Sequence, residues 1–210
     1  MLGWNEYAKM FVAVLALLDP LMATLIFVDL TSTESRSRRA SVALIACGSA
    51  AVLLIMSVII GEMVLKLFGI SLHAFKIAGG LLLLLMSISM LQARIGTIKQ
   101  TPEEFHEAED KEAIAVVPLA IPLMAGPGTI SAMIMYSSKS PAMSHRFILC
   151  GIAVFMMIVV YTTMRMGRRI SRTLGKTGIN IATRLMGLLL AAISIEFIAN
   201  GLKGLFPNLR

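Results

Sequence analysis

Four long stretches of this sequence carry no charged residue, and they constrain the fold more than any other feature. Ala40–Gly61 has 22 residues, Ile77–Ala93 has 17, Ala113–Ser138 has 26 and Phe147–Met164 has 18. A helix needs about 20 apolar residues to cross the hydrocarbon core of a bilayer. Each stretch therefore predicts a membrane-spanning helix.

Two further apolar segments contain only one or two acids. They are Met10–Thr33, with Asp19 and Asp29, and Leu185–Leu202, with Glu196. Only 15% of the 210 residues are charged, against about 25% in soluble domains. We therefore predict an all-α membrane protein with six transmembrane helices. Too little chain remains for a soluble enzyme, and the net charge of +7 predicts contact with anionic membrane lipid rather than with nucleic acid.

The basic residues predict the orientation of the chain. Of the 19 lysines and arginines, 12 lie in the segments that connect spans 1 and 2, 3 and 4, and 5 and 6. Cytoplasmic loops carry the excess of Lys and Arg, whereas acids contribute little to orientation. We therefore expect these segments in the cytoplasm, including the acidic run 103–112, and both termini on the other side of an inner membrane.

The second half of the sequence resembles the first. The matches are Pro20–Ala23 with Pro122–Ala125, Cys47 with Cys150, and Gly80–Leu83 with Gly187–Leu190, at offsets that rise from 102 to 107. Two halves of three spans each must enter the membrane in opposite senses, as in many secondary transporters. We predict inverted repeats over residues 1–100 and 113–210, joined by a cytoplasmic linker at 101–112. The alternative is a six-helix bundle without symmetry.

Span 4 contains too many helix breakers to remain one helix. They are Pro118, Pro122, Gly126, Pro127 and Gly128. Each proline removes a backbone donor, and the freed groups require protein or water in the membrane interior. We predict a second half-helix that begins around Gly128–Thr129, with amides that favour a carboxylate. The hydroxyls of Thr129 and Ser131 would add contacts, although a proline kink that only shapes packing is the alternative.

Span 1 carries Asp19-Pro20 near its middle, which predicts a second break near the membrane midplane. A carboxylate at that depth is costly and should face the interior of the bundle. Asp19 could bind a substrate ammonium group or a coupling ion, or it could cap the helix that resumes at Pro20. Its counterpart in the predicted repeat is Ile121. Glu196 is the second candidate for a coupling ion, and helix pairing is an equal alternative for it.

Three segments resemble the MarC family of bacterial and archaeal membrane proteins. They are Pro118–Ser131, the run from Thr177 to Gly187, and the run from Ile195 to Gly201. The resemblance covers essentially the whole chain and is nearest to the SnatA-type neutral amino acid transporters. It implies an inner-membrane transporter that moves glycine, alanine and related amino acids with an ion gradient.

Span 1 departs from the family pattern at two positions. The family often has a glycine and a second proline where this chain has Met22 and Leu25. The loss of both breakers predicts a span 1 that is more continuous than span 4. Bulky Met22 also predicts a narrower site.

We therefore expect a secondary transporter of small neutral amino acids, driven by protons or sodium. The predicted substrate site comprises Asp19, Pro20, Pro122, Gly126, Pro127, Gly128, Thr129 and Ser131, with Asp19 and Glu196 as candidates for the coupling ion. No cofactor, metal site or catalytic residue is expected. The alternatives are an exporter or channel for another small solute, a lipid-binding structural protein, and a membrane enzyme that uses Asp19 and Glu196. The sequence leaves the oligomeric state and the direction of transport open.

Overall fold

The computed structural model describes residues 2–92 and 124–206, and the ordered elements in these ranges are all helices. The seven helices are α1 (Trp4–Leu18), α2 (Pro20–Leu30), α3 (Arg36–Leu67), α4 (Leu72–Leu91), α5 (Pro127–Ser137), α6 (Met143–Arg165) and α7 (Gly167–Leu205). The all-helical prediction is confirmed for these ranges. The linker 101–112 lies outside the described residues.

Five segments of the described chain are long and apolar enough to cross a bilayer. They are Trp4–Leu30, Arg36–Leu67, Leu72–Leu91, Met143–Arg165 and Thr177–Leu205. Helix α5 has 11 residues and would rise only about 16 Å, roughly half the hydrocarbon thickness. The first part of the predicted span 4 precedes α5 and lies outside the described residues. Span 4, which would bring the total to six, therefore stays a prediction.

Local sequence signals explain where α3 and α4 begin. The hydroxyl of Ser35 accepts from the Arg38 amide at 3.3 Å, and that of Ser71 accepts from the Ala74 amide at 3.1 Å. Serine at this position satisfies one of the amides that a helix start leaves without an intrahelical partner. Both spans are therefore capped at the positions that the sequence marks.

Helix α7 contains one residue whose backbone is not helical. Gly175 has φ 62° and ψ 174°, a conformation that is essentially restricted to glycine. It separates a short basic segment, Gly167–Leu174, from the apolar span Thr177–Leu205. The positive φ therefore requires glycine at this junction.

Helices α4 and α7 form the most extensive contact between described elements. A Cβ at Gly187 would lie 2.9 Å from the Met90 Cβ, and one at Gly80 would lie 2.9 Å from the Ser194 carbonyl oxygen. Glycine therefore lets the two backbones approach closely, as small residues do between membrane helices.

Helix starts in the two halves recur at a constant spacing. Helices α2 and α5 begin at Pro20 and Pro127, and α3 and α6 begin at Arg36 and Met143, so each pair is 107 residues apart. Helices α2 and α5 also have the same length of 11 residues. Helix α3 packs on α6, and α4 packs on α7. Helices α3 and α6, whose starts match at this spacing, are therefore neighbours, as are α4 and α7.

This spacing changes one assignment made from the sequence. The match of Pro20 with Pro122 made Ile121 the counterpart of Asp19. The helix starts instead align Asp19 with Gly126, since each residue immediately precedes a helix that begins with proline. Ile121 itself lies outside the described residues, so this second alignment depends on the helix starts alone.

Candidate functional site

The first span is broken at Asp19. Helix α1 ends at Leu18, Asp19 has φ 39° and ψ 72°, and α2 begins at Pro20. Proline has no amide donor and disfavours helical geometry in the residue before it. Aspartate tolerates the left-handed conformation better than most residues. The Asp-Pro pair is therefore sufficient for a break, and the predicted break in span 1 is confirmed. The comparison with span 4 stays a prediction, because the first part of that span lies outside the described residues.

The Asp19 carboxylate is buried and hydrogen-bonded across the bundle. Asp19 is only 2% exposed. Its Oδ1 atom accepts a hydrogen bond from the Met22 amide at 3.3 Å, and Oδ2 accepts one from the Thr183 hydroxyl at 2.8 Å. The first bond caps α2, as one of the sequence interpretations predicted. The second joins the break in span 1 to α7. A hydrogen bond to a carboxylate is roughly twice as strong as a neutral one.

Thr183 is a site residue that the sequence reasoning did not identify. It lies 164 residues from Asp19 in the chain and is 1% exposed. It falls within one of the segments that resemble the MarC family, but no pattern in the sequence pairs it with Asp19. Only the packing of α7 against α2 brings the two together.

Helix α5 begins at a second break. Gly126 is extended, with φ −72° and ψ 168°, and Pro127 is the first helical residue, slightly earlier than the predicted start at Gly128–Thr129. The Ile130 amide donates to the Gly126 carbonyl at 3.0 Å. Proline has no amide, so the first-turn donors that α5 cannot satisfy internally belong to Gly128 and Thr129.

The Thr129 hydroxyl is buried and has no partner among the described residues. The residue is 1% exposed, and its Oγ1 accepts or donates no hydrogen bond within residues 2–92 and 124–206. A buried polar group left unsatisfied costs about 1–3 kcal/mol. Ser131, two residues further along, is also buried. An unpaired hydroxyl beside amides that the helix itself cannot pair, at a positive helix end, is an arrangement that favours an anion.

Gly128 packs tightly against α4. A Cβ at this position would overlap the Met86 Sδ and would lie 3.2 Å from Leu83 Cδ2. The absence of a side chain therefore lets the start of α5 approach α4, and the methionine and leucine leave little room beside it.

Both breaks border one buried cluster of apolar side chains. Leu17 and Leu18 precede Asp19, Met124 and Ala125 precede the start of α5, and all four residues belong to that cluster. Residues beside both breaks thus belong to the core cluster that runs through the bundle, and the placing of Asp19, Pro20 and Gly126–Thr129 in one substrate site stays a prediction. Pro122 lies outside the described residues.

Glu196 lies apart from Asp19. It is 13 residues beyond Thr183 on α7, a rise of about 20 Å. It lines a cavity of about 770 Å³ together with Lys76, Lys139 and Asn200. Glu196 and Asn200 therefore share one face of α7. The two candidate acids do not form one pair.

A buried histidine links three helices at this end of the protein. The Nδ1 atom of His145 lies 3.1 Å from the Tyr7 hydroxyl, and Nε2 lies 2.8 Å from the Tyr136 carbonyl. A carbonyl only accepts, so Nε2 carries the proton. The sequence placed His145 near a loop and gave it no role. Among the described residues, no group of His, Cys, Asp and Glu is arranged to hold a metal ion.

Comparison with known proteins identifies the family. The model of the MarC family of integral membrane proteins matches residues 4–206. The chain belongs to the MarC family. It is 41% identical over 204 residues to the UPF0056 membrane protein YhcE of Escherichia coli, covering 97% of this chain and 94% of that one. No solved structure matches it.

More distant relatives extend the similarity across bacteria and archaea. A UPF0056 membrane protein of Methanocaldococcus jannaschii is 36% identical, over 92% of this chain and 94% of the relative. YvbG of Bacillus subtilis is 33% identical, over 95% of each chain. This MarC protein is therefore an integral, multi-pass membrane protein, and its bacterial relatives imply the inner membrane.

Proposed function

We propose that this MarC protein is a secondary transporter of small neutral amino acids of the glycine and alanine class, driven by a proton or sodium gradient. The observation that carries the proposal is the buried Thr129 hydroxyl without a partner at the start of α5. The resemblance to the SnatA-type transporters supports the substrate class.

The start of α5 would bind the substrate carboxylate. The Gly128 and Thr129 amides and the Thr129 hydroxyl are three donors at one helix end, which carries about half a positive charge. A carboxylate there would satisfy donors that the described residues leave without a partner. Gly126 is extended ahead of Pro127, so the helix does not continue backwards to pair these amides.

Asp19 would bind the substrate ammonium group or the coupling ion. Its carboxylate accepts two hydrogen bonds that fix its position, from the Met22 amide and the Thr183 hydroxyl. A carboxylate has about four acceptor positions in all. Asp19 and the start of α5 would thus recognise the two ends of a zwitterion.

The side chains around the two breaks favour a small substrate. Met86 and Leu83 pack against Gly128, and Met22 lies buried in the first turn of α2. An amino acid with a large side chain would have to displace these residues, which costs energy in a close-packed interior.

An inverted repeat would give the carrier its alternating access. We propose six spans in two halves, residues 1–100 and 113–210. In this proposal, residues before α5 complete span 4. The constant spacing of helix starts and the pairing of α3 with α6 and α4 with α7 support two related halves. Rocking of one half against the other would expose the site to each side in turn.

The arginine-rich end of the bundle would face the cytoplasm, with both termini outside it. Glu196 lines the cavity at the opposite end, so a coupling role there would act at the entrance rather than beside Asp19. The proposal includes no enzymatic step.

Counterflow in proteoliposomes tests the proposal. Vesicles that contain the protein and unlabelled alanine should accumulate labelled alanine in a saturable manner, and sodium and proton gradients imposed separately should identify the coupling ion. Linear, unsaturable flux without counterflow would indicate a channel and overturn the proposal.

Two substitutions test the site itself. Asp19→Asn should abolish gradient-driven uptake, whereas Asp29→Asn, at the exposed end of α2, should not change it. Gly128→Leu should abolish alanine binding. Gradient-driven uptake that survives Asp19→Asn would contradict the role of Asp19.

A further inference from the structure

Six arginines gather at the end of the bundle that is predicted to be cytoplasmic. One cavity of about 490 Å³ is lined by Phe27, two methionines and five of these arginines, and we call it the arginine cavity. A neighbouring cavity of about 600 Å³ shares two of the five and adds the sixth. The six are Arg36, Arg39, Arg165, Arg168, Arg169 and Arg172.

These arginines have no acidic partner among the described residues. The four salt bridges there involve only Glu6 and Glu62, with three lysines and Arg146, and none includes a member of the cluster. Arg39 lies over the Phe27 ring at 5.7 Å and is repelled by Arg168. Like charges gathered around a cavity are unfavourable unless an anion binds among them.

Several helices hold the cluster in place. Arg36 and Arg39 lie in the first turn of α3, Arg165 ends α6, and the rest lie in the segment Gly167–Leu174. A Cβ at Gly167 would lie 2.6 Å from Val28 Cγ2, so this segment approaches α2 closely. The cavity is therefore built from separate helices of the chain and is not the surface of one basic helix.

The cavity also lies where the spans end. Met166 is 50% exposed and Leu174 is 45% exposed, and both neighbour the arginines in sequence. Exposed apolar side chains beside a basic cluster are typical of a segment at the membrane–water boundary. The phosphates of lipid headgroups lie at that level.

We propose that the arginine cavity binds a phosphate group, with an anionic phospholipid headgroup as its source. Guanidinium groups pair with phosphate oxygens through two parallel hydrogen bonds, and arginines from several helices could surround one such group. This binding site is separate from the proposed transport site and does not depend on it.

Lipid titration of the purified full-length protein tests the proposal. Native mass spectrometry would count bound phosphatidylglycerol, with phosphatidylcholine and inorganic phosphate as the other probes. We expect saturable binding of phosphatidylglycerol. Each basic residue near anionic lipid usually contributes a factor of about five to the affinity. Arg168→Gln should therefore weaken binding about fivefold, and the double variant Arg168→Gln with Arg169→Gln about 25-fold. Lys203→Gln, which removes one charge at the opposite end, should leave the affinity unchanged.

Four results would contradict the proposal. Equal affinity for phosphatidylcholine would show that the headgroup charge is not recognised, and an unchanged affinity in the double variant would place the lipid elsewhere. The acidic run 103–112, which lies outside the described residues, is a competing occupant. If replacing its acids with glutamine strongly raised the affinity, the run and not a lipid would fill the cavity. If inorganic phosphate bound as tightly as phosphatidylglycerol, a lipid headgroup would not be the source of the bound phosphate group.

Discussion

Replacing the Thr129 hydroxyl should change binding and stability in opposite directions. Valine has nearly the shape of threonine, so Thr129→Val removes an unsatisfied buried hydroxyl without leaving a cavity. The free energy of unfolding without ligand should rise by about 1–3 kcal/mol, the cost of burying such a group unpaired. Alanine binding should weaken because one hydrogen bond to its carboxylate is lost.

The loss of affinity follows from the same contact. A hydrogen bond to a charged group contributes about 1.5–3 kcal/mol, and each 1.4 kcal/mol corresponds to a tenfold change in the dissociation constant. We therefore expect alanine to bind about 10- to 100-fold more weakly. Calorimetric titration with alanine measures this change. Heating in the presence of a thiol-reactive dye, which labels buried Cys47 once the protein unfolds, measures stability.

A matched control separates this effect from the general loss of a threonine. Thr163 donates to the Val160 carbonyl of its own helix at 2.8 Å, so Thr163→Val removes a satisfied hydroxyl and should leave alanine affinity unchanged. If Thr129→Val lowered stability and left alanine affinity intact, the hydroxyl would be an ordinary structural group, and the assignment of the start of α5 would be wrong.

Three further substitutions probe other contacts, and thermal unfolding in detergent measures each of them. Thr183→Val should remove the donor to the buried Asp19 carboxylate and lower the free energy of unfolding by about 1.5–3 kcal/mol. Thr183→Ser keeps a hydroxyl and should retain most of that stability. Equal stability of the two variants would contradict the hydrogen bond. Gly187→Ala should cost about 1–3 kcal/mol through overpacking of α4 against α7, but Gly151→Ala, with no described atom within 4 Å of the added Cβ, should be neutral or stabilising. His145→Phe should cost about 1–3 kcal/mol because it leaves buried polar partners without a hydrogen bond, and an unchanged melting temperature would count against that link.

The sequence predicted those features of the fold that depend on neighbouring residues. Uncharged runs located the spans because lipid excludes charge over a length set by the bilayer. The Asp19-Pro20 pair located the first break because proline acts on the residue before it. Gly126-Pro127 located the start of α5 to within about two residues by the same reasoning.

Features that depend on distant residues were not predictable in this way. The bond from Thr183 to Asp19 joins residues 164 apart, and no local pattern encodes such a pairing. The role of His145 likewise depends on Tyr7, at the other end of the chain. The non-helical Gly175 was missed because a lone glycine in a basic segment does not reveal its φ.

The family resemblance and the structure contributed different parts of the account. The resemblance supplied a substrate class that span patterns do not contain. The structure supplied the free Thr129 hydroxyl, which the sequence included among several site residues but could not distinguish from a satisfied one. The site therefore follows from both, and neither alone selects Thr129 as its centre.

An experimental density map of the protein with bound alanine would test the central claim most directly. The account predicts the substrate carboxylate at the start of α5, with one oxygen about 3 Å from the Thr129 Oγ1 and the ammonium group towards Asp19. A map in which a residue of 93–123 occupies that position and bonds to Thr129, with no space for a ligand beside Gly126, would contradict it.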